Sequence, residues 1–135
     1  MNAMRIISQE FTAPNVSPEM MDFVLAQGWR HFGKDFFRYN VQMVGDAWQT
    51  VVPIRIRLAD FKLSKSQRRV LRKNEDLVCT IKPAAITDVE QSMFQRHKAR
   101  FKENIPSNLT DFLSETPDQV PGRGQMLCCE LEHEL

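Results

Sequence analysis

The 135-residue sequence lacks most of the features that mark membrane-bound, exported or disulfide-stabilised proteins. No stretch approaches about 18 uncharged apolar residues, so we expect no membrane-spanning helix. The first ten residues contain no apolar segment of the kind found in signal peptides, so we predict none. The three cysteines are odd in number and two are adjacent, which is not the pattern of a disulfide framework. These absences favour a cytoplasmic protein with reduced thiols and no membrane partner.

The sequence also lacks the residue patterns of common catalytic sites. It contains no candidate Ser/His/Asp set, no paired carboxylates in an apolar setting and no glycine-rich phosphate loop. For His97, at the edge of an apolar helical stripe, a place in the core is favoured over a catalytic role. For Cys79, in the middle of a short apolar run, a small core residue is favoured over a nucleophile. No catalytic residue is therefore assigned from the sequence, and no cofactor is expected.

The chain is long enough for one globular domain, since 42% of its residues are hydrophobic and 26% are charged. Residues 1–16 carry few structural signals, so we expect a flexible lead-in followed by a single domain over residues 17–135. Capping residues predict helices that begin after Ser17, Ser64 and Thr87, and a short helix is expected at residues 108–113.

Alternating apolar and polar residues give the clearest strand signal in the chain. They predict a hairpin of residues 37–43 and 48–58, with a turn at Gly45-Asp46. Pro53 indicates an edge or a bulge in the second strand. Further strands are predicted at residues 77–82 and 125–132. The expected architecture is α+β, with a mainly antiparallel sheet and helices packed on it.

Positive charge is concentrated in residues 55–76, which we call the basic segment. It carries eight lysines and arginines against three carboxylates, a local net charge of +5, whereas the whole chain has a net charge of only +1. A concentrated positive surface attracts polyanions and accelerates their encounter. The candidate nucleic-acid-binding residues are Arg55, Arg57, Lys62, Lys65, Gln67, Arg68, Arg69, Arg72 and Lys73.

A helix is predicted over residues 65–73 of the basic segment. Ser64 is a suitable N-cap, and Gln67 three residues later completes a capping box. Like charges four residues apart, such as Arg68 and Arg72, destabilise an isolated helix by a few tenths of a kcal/mol. Bound phosphate would relieve that repulsion. Charge alone leaves two interpretations open, a phosphate-binding helix and a solvated basic face with nothing bound.

Several motifs follow one another along the chain. One comprises Phe61, Ser64, Lys65, Ser66, Gln67, Arg68, Arg69, Arg72, Lys73 and Asn74. Before it come Gly28-Trp29-Arg30, Gly33, Phe36-Phe37-Arg38-Tyr39 and Pro53-Ile54-Arg55-Ile56. In this order and spacing they resemble the arginyl-tRNA–protein transferase family, from about Asp22 to about Ser114. The resemblance implies a GNAT acyltransferase-like fold, with an aminoacyl-tRNA and the N-terminus of an acceptor protein as partners.

The chain departs from the family pattern in two respects. Many members carry a cysteine cluster in the interval that corresponds to residues 40–52, which here contains no cysteine and no histidine. We therefore expect no metal site there. Family members also continue into a second half of the domain, so we expect a partial GNAT-like domain. Its last strand would offer an unpaired edge through which copies could self-associate.

The sequence supports three functional hypotheses. The resemblance favours a transferase that moves an amino acid from charged tRNA to a protein N-terminal amine, although we expect this chain alone to be weakly active or inactive. The alternatives are a non-catalytic module that binds tRNA or another polyanion, and a structural domain whose basic surface pairs with acidic protein. Within any of them, Arg68 and Arg69 could instead pair with the chain's own Glu75 or Asp76.

Overall fold

The computed structural model describes residues 5–102 and 105–131. Within these ranges two 3₁₀ turns, Leu58–Asp60 and Leu109–Asp111, accompany the strands and helices. In chain order the elements are β1 (Ser8–Thr12), α1 (Pro18–Ala26), β2 (Arg30–Phe32), β3 (Asp35–Tyr39), β4 (Val41–Val44), β5 (Ala47–Thr50), α2 (Lys65–Lys73), β6 (Leu77–Pro83), α3 (Asp88–Lys98) and β7 (Gln125–Leu131). No described helix is long and apolar enough to cross a membrane.

The α+β class and the antiparallel pairing predicted from the sequence are confirmed, but the strands are divided among three small sheets. One sheet has the order β1-β3-β2, and the other two pair β4 with β5 and β6 with β7. All the pairs are antiparallel. The predicted final strand is present as β7 from Gln125 to Leu131. Its last predicted residue, Glu132, lies outside the described residues.

The three-stranded sheet holds the most deeply buried large side chain of the described residues. Phe36 on β3 is 1% exposed. Its ring stacks on Phe11 of β1 at 4.7 Å and on His31 of β2 at 5.0 Å between ring centroids. The three rings are direct cross-strand neighbours, because Phe11 and His31 are both paired with Phe36 in the strand register. Cross-strand aromatic pairs of this kind stabilise a sheet beyond the area that they bury.

Strand β1 corrects the expectation of a flexible lead-in for residues 8–12. Ser8 lies opposite Tyr39, and Thr12 lies opposite Asp35, with a hydrogen bond of 2.7 Å from the Thr12 hydroxyl to the Asp35 carboxylate. These partners lie far along the chain, so local sequence signals could not indicate them. The short hairpin of β2 and β3 was not predicted either. It turns at Gly33, whose φ of +51° favours glycine.

Helix α1 confirms its predicted capping residues. The Ser17 hydroxyl accepts a hydrogen bond from the Met20 amide at 3.2 Å, and Pro18 occupies the first turn. The helix ends before Gly28, which has a φ of +81°. A Cβ atom at Gly28 would lie 3.1 Å from Cγ of Pro53, so the chain beyond β5 passes close to the end of α1.

The predicted hairpin at Gly45-Asp46 is present, but its second strand ends at Thr50 and not at Leu58. The Val51 amide donates the last hydrogen bond, to the Asn40 carbonyl at 2.9 Å. Pro53 then has no N–H to continue the pairing. Residues 51–57 consequently lie outside the sheets, and Ile54 is 86% exposed although it lies in the alternating pattern.

The predicted helix after Thr87 is confirmed as α3, with both hydrogen bonds of the capping box to Glu90 in place. The expected core positions of Cys79 and His97 are wrong, since both side chains are exposed. Cys79 points to the open face of the β6–β7 sheet, where Ile81 is 69% exposed. The His97 ring contacts Phe101 edge to face at 5.1 Å between centroids, on the exposed side of α3.

We predict that Phe36→Ala unfolds the three-stranded sheet. The substitution removes the ring on which both neighbouring rings stack, and loss of a buried Phe costs about 3–5 kcal/mol. Thermal unfolding followed by near-UV circular dichroism measures the effect. Trp48→Ala is the control, because Trp48 lies on β5 and is mostly exposed. Equal melting temperatures for the two variants would contradict the central place of Phe36.

Candidate nucleic-acid interface

Helix α2 begins and ends as its sequence predicts. The Ser64 hydroxyl accepts a hydrogen bond from the Gln67 amide at 3.2 Å, and Gln67 Oε1 accepts one from the Ser64 amide at 2.8 Å. At the other end Asn74 closes the helix, donating from its side chain to the Val70 carbonyl at 2.8 Å. These two caps supply local stability to a helix whose residues are all exposed.

The basic side chains of α2 lie on one side of the helix. At about 100° per residue, Lys65, Arg68, Arg69, Arg72 and Lys73 fall within an arc of about 140°. The opposite side presents Gln67, Val70 and Leu71. We call the arc of five cations the basic face. It carries the like-charge pairs that sequence spacing predicted, and its exposure leaves it open to a polyanion.

Part of the basic face borders an open hollow of about 460 Å³. Its lining residues are Ser64, Lys65, Ser66, Arg69 and Arg72. The lysine and the two arginines contribute only hydrogen-bond donors, and the two serine hydroxyls can donate as well. The hollow therefore matches an anion such as phosphate. The Ser66 hydroxyl lies 3.0 Å from that of Ser64, at the rim of this hollow.

Arg68 is held at the start of the helix without losing its charge. Its Nη1 donates a hydrogen bond of 2.6 Å to the Leu63 carbonyl, which is a neutral acceptor. The alternative in which Arg68 or Arg69 pairs with Glu75 or Asp76 is not observed, because within residues 5–102 and 105–131 neither arginine forms an ion pair. Their charges are thus available to an external partner.

Arg55 and Arg57 differ from the cations of α2. Arg55 pairs with Asp22 of α1 at 3.1 Å, and Arg57 pairs with Asp60 at 3.6 Å. Both were predicted to bind nucleic acid together with the basic helix, but each shares its charge with a carboxylate. Both pairs are exposed, and exposed ion pairs contribute little to stability, so a phosphate could still compete for either arginine. Lys62 precedes the helix and is also exposed.

In the described part of the chain no three His, Cys, Asp or Glu side chains cluster closely enough to hold a metal ion. The expectation that no structural metal binds stays a prediction. Elemental analysis of the purified chain checks it, and stoichiometric zinc or iron would contradict it.

Comparison with known proteins finds a family match for the N-terminal part of the chain. Residues 3–69 match the family described as "Arginine-tRNA-protein transferase, N terminus". The match begins before Asp22, includes β1 and ends within α2 at Arg69. The N-terminal part of this chain is therefore similar to the N-terminal part of the arginine-tRNA–protein transferases, as its motifs predicted. No solved structure matches the chain, so the GNAT-like fold is not confirmed.

Three similar curated proteins are each described as an aspartate/glutamate leucyltransferase. The protein from Marinobacter nauticus is 31% identical over 74 residues, which are 55% of this chain and 30% of the relative. The one from Helicobacter hepaticus is 29% identical over 91 residues, 67% of this chain and 36% of the relative. The one from Saccharophagus degradans is 32% identical over 73 residues. The chain thus spans about a third of the length of these relatives.

We predict that Ser64→Ala loosens the first turn of α2. Loss of an N-cap side chain costs about 1 kcal/mol, so the Gln67 amide should exchange its hydrogen about fivefold faster. Native-state hydrogen exchange followed by NMR measures this rate. Ser66→Ala is the matched control, because no backbone amide donates to its hydroxyl. An unchanged rate in Ser64→Ala would show that the cap does not hold the helix.

Proposed function

We propose that this chain is the tRNA-binding, N-terminal part of an aminoacyl-tRNA–protein transferase. The proposal depends on the basic face, where five cations lie on one side of an exposed helix. These cations form no ion pair within the described residues. The match of residues 3–69 to the transferase family supports it. Phosphate would neutralise the repulsion among these cations, and the planar fork of arginine suits phosphate oxygens.

The proposed reaction needs no metal. The amino acid arrives as an ester of the tRNA ribose, which is already activated. The N-terminal amine of the acceptor protein attacks the ester carbonyl, the ester C–O bond breaks, and a peptide C–N bond forms. The tRNA leaves with its hydroxyl, and the amine loses a proton. Catalysis then consists of positioning the two partners and assisting that proton transfer. We assign no residue of this chain to the proton transfer.

We further propose that the transferred amino acid is leucine and that the acceptor begins with aspartate or glutamate. All three relatives are described as aspartate/glutamate leucyltransferases, which supports this choice over arginine, the amino acid in the family's name. A transfer assay with leucyl-tRNA, arginyl-tRNA and a peptide with N-terminal glutamate tests it. Preferential labelling by arginine would refute the choice of leucine.

The same assay separates the enzyme from a non-catalytic binding module. Our expectation that the chain alone is a weak catalyst stays a prediction, as does its cytoplasmic location. Product formation at any rate above a no-protein control supports the transferase. Tight tRNA binding with no product from either charged tRNA would favour the binding module.

Two finer proposals concern architecture. The antiparallel strands and three helices are compatible with part of a GNAT-like domain, which a solved structure of this chain would test. We also propose that β7 is a contact between copies, because in the described sheet only β6 is paired with it and Leu127 is 65% exposed. Light scattering across a range of protein concentrations checks this, and a monomer throughout would refute it.

We predict that Arg69→Ala and Arg72→Ala each weaken tRNA binding and flatten its salt dependence. Each neutralised phosphate releases counterions, so removing one contact should reduce the slope of log affinity against log salt by about one unit. Filter binding at several salt concentrations measures both quantities. Arg69→Lys keeps the charge and should keep the slope, although it loses the bidentate contact.

Arg96→Ala is the matched control for these variants, because Arg96 is an exposed arginine on the separate helix α3. It should leave both the affinity and the salt slope unchanged. Arg57→Ala should have a smaller effect than Arg69→Ala, since Asp60 already shares the Arg57 charge. Unchanged binding at low salt in Arg68→Ala, Arg69→Ala and Arg72→Ala would remove the phosphate-contact proposal.

A further inference from the structure

Two of the three cysteines are brought together by the pairing of β6 and β7. Cys79 lies directly opposite Cys129, in a register that runs without interruption from Leu77 opposite Leu131 to Pro83 opposite Gln125. Both thiols are free and exposed. They lie far apart in the sequence, so the pair is a product of the fold.

The hydrogen-bond pattern shows which kind of cross-strand pair this is. The register continues to Ala84, whose amide donates to the Gly124 carbonyl at 3.0 Å. Hydrogen-bonded and non-hydrogen-bonded pairs alternate along an antiparallel ladder. Ala84 and Gly124 form a hydrogen-bonded pair. Cys79 and Cys129 lie five positions further along the ladder, so they form a non-hydrogen-bonded pair. At such sites the Cα atoms are about 4.5 Å apart, which lies within the range of disulfides, about 4.4–6.8 Å.

The direct pairing places the two thiols close enough for each to influence the other. A hydrogen bond with the Cys79 side chain is the main cause that raises the pKa of the Cys129 thiol, with a smaller contribution from desolvation. Cys128 cannot compete for Cys79 within the same chain, because adjacent strand residues point to opposite faces of the sheet. Cys128 accordingly shares the other face with Thr80, its cross-strand neighbour.

We propose that Cys79 and Cys129 form a dithiol that hydrogen peroxide closes into a disulfide across β6 and β7. In the first step one thiolate attacks hydrogen peroxide, the O–O bond breaks, and a sulfenic acid forms with release of hydroxide. In the second step the other sulfur attacks the sulfenic sulfur and displaces its oxygen as water. Two thiols and one peroxide thus give one disulfide and two waters.

The disulfide would join the ends of residues 79–129, a segment that includes α3. A crosslink across a segment of this length restricts the unfolded chain and is expected to stabilise the folded one. The oxidised chain should therefore melt at a higher temperature than the reduced chain. This inference depends only on the β6–β7 pairing and is independent of the proposed transferase function.

The test treats the full chain with one equivalent of hydrogen peroxide and counts free thiols under denaturing conditions. We expect the three free thiols to fall to one, in a monomer lighter by the mass of two hydrogen atoms. Peptide mapping should link Cys79 to Cys129, and the melting temperature should rise and return with reductant. In Cys128→Ser, the matched control, two thiols should fall to none with the same rise in melting temperature.

Cys79→Ser and Cys129→Ser should each form no disulfide within the chain and gain no stability from peroxide. Several results would overturn the proposal: a disulfide that involves Cys128, a crosslink between two chains as the main product, three thiols that survive the treatment, or oxidation of single thiols beyond the sulfenic acid. The serine variants keep the test valid, because all three cysteines lie at the surface or partly exposed and their replacement leaves the core intact.

Discussion

The stack of three rings across β1, β3 and β2 is the interaction on which the N-terminal part of the structure depends. Phe36 is enclosed by Phe11 on one side and His31 on the other, and it is the most deeply buried large side chain of the described residues. His31 is oriented by a hydrogen bond of 2.9 Å from its Nδ1 to the Gly33 carbonyl, at the turn of the hairpin. Without this stack, little apolar burial would hold the three strands together.

The motifs that precede α2, at residues 28–30 and 36–39, contribute side chains to the three-stranded sheet. The Arg38 guanidinium lies 4.8 Å from the Trp29 ring centroid, and Arg30 lies 4.3 Å from that of Tyr39. Such stacking fixes both arginines against aromatic faces. Arg38 also donates to Gln9 Oε1 at 2.6 Å, which ties β3 to β1. These motif residues build the fold, whereas those of α2 make few contacts within it. The contrast is the physical reason why we propose α2, and not the sheet, as the tRNA-binding surface.

Local signals located the helices, the β4–β5 hairpin and the strands β6 and β7, but they did not reveal the three-stranded sheet. Caps such as Ser64 with Gln67 involve residues three positions apart, so the sequence alone located α1, α2 and α3. Strand β1 depends on β3, which no local pattern reveals. The alternation in residues 51–57 was misleading, because alternation indicates a strand only where a partner can pair, and Pro53 has no amide to donate.

The candidate site was likewise predicted in part. The sequence located its charges, but only the structure separated Arg55 and Arg57, each beside a carboxylate, from the cations of the basic face, which form no ion pair with any described residue. That face combines repulsion along the helix with caps at both ends that keep it folded. Caps at both ends, and not carboxylates, stabilise α2. Its cations therefore break no ion pair with a described residue when a polyanion binds. The bound polyanion relieves the repulsion among these cations at no such cost. The salt dependence of the affinity should therefore arise mainly from the residues of the basic face.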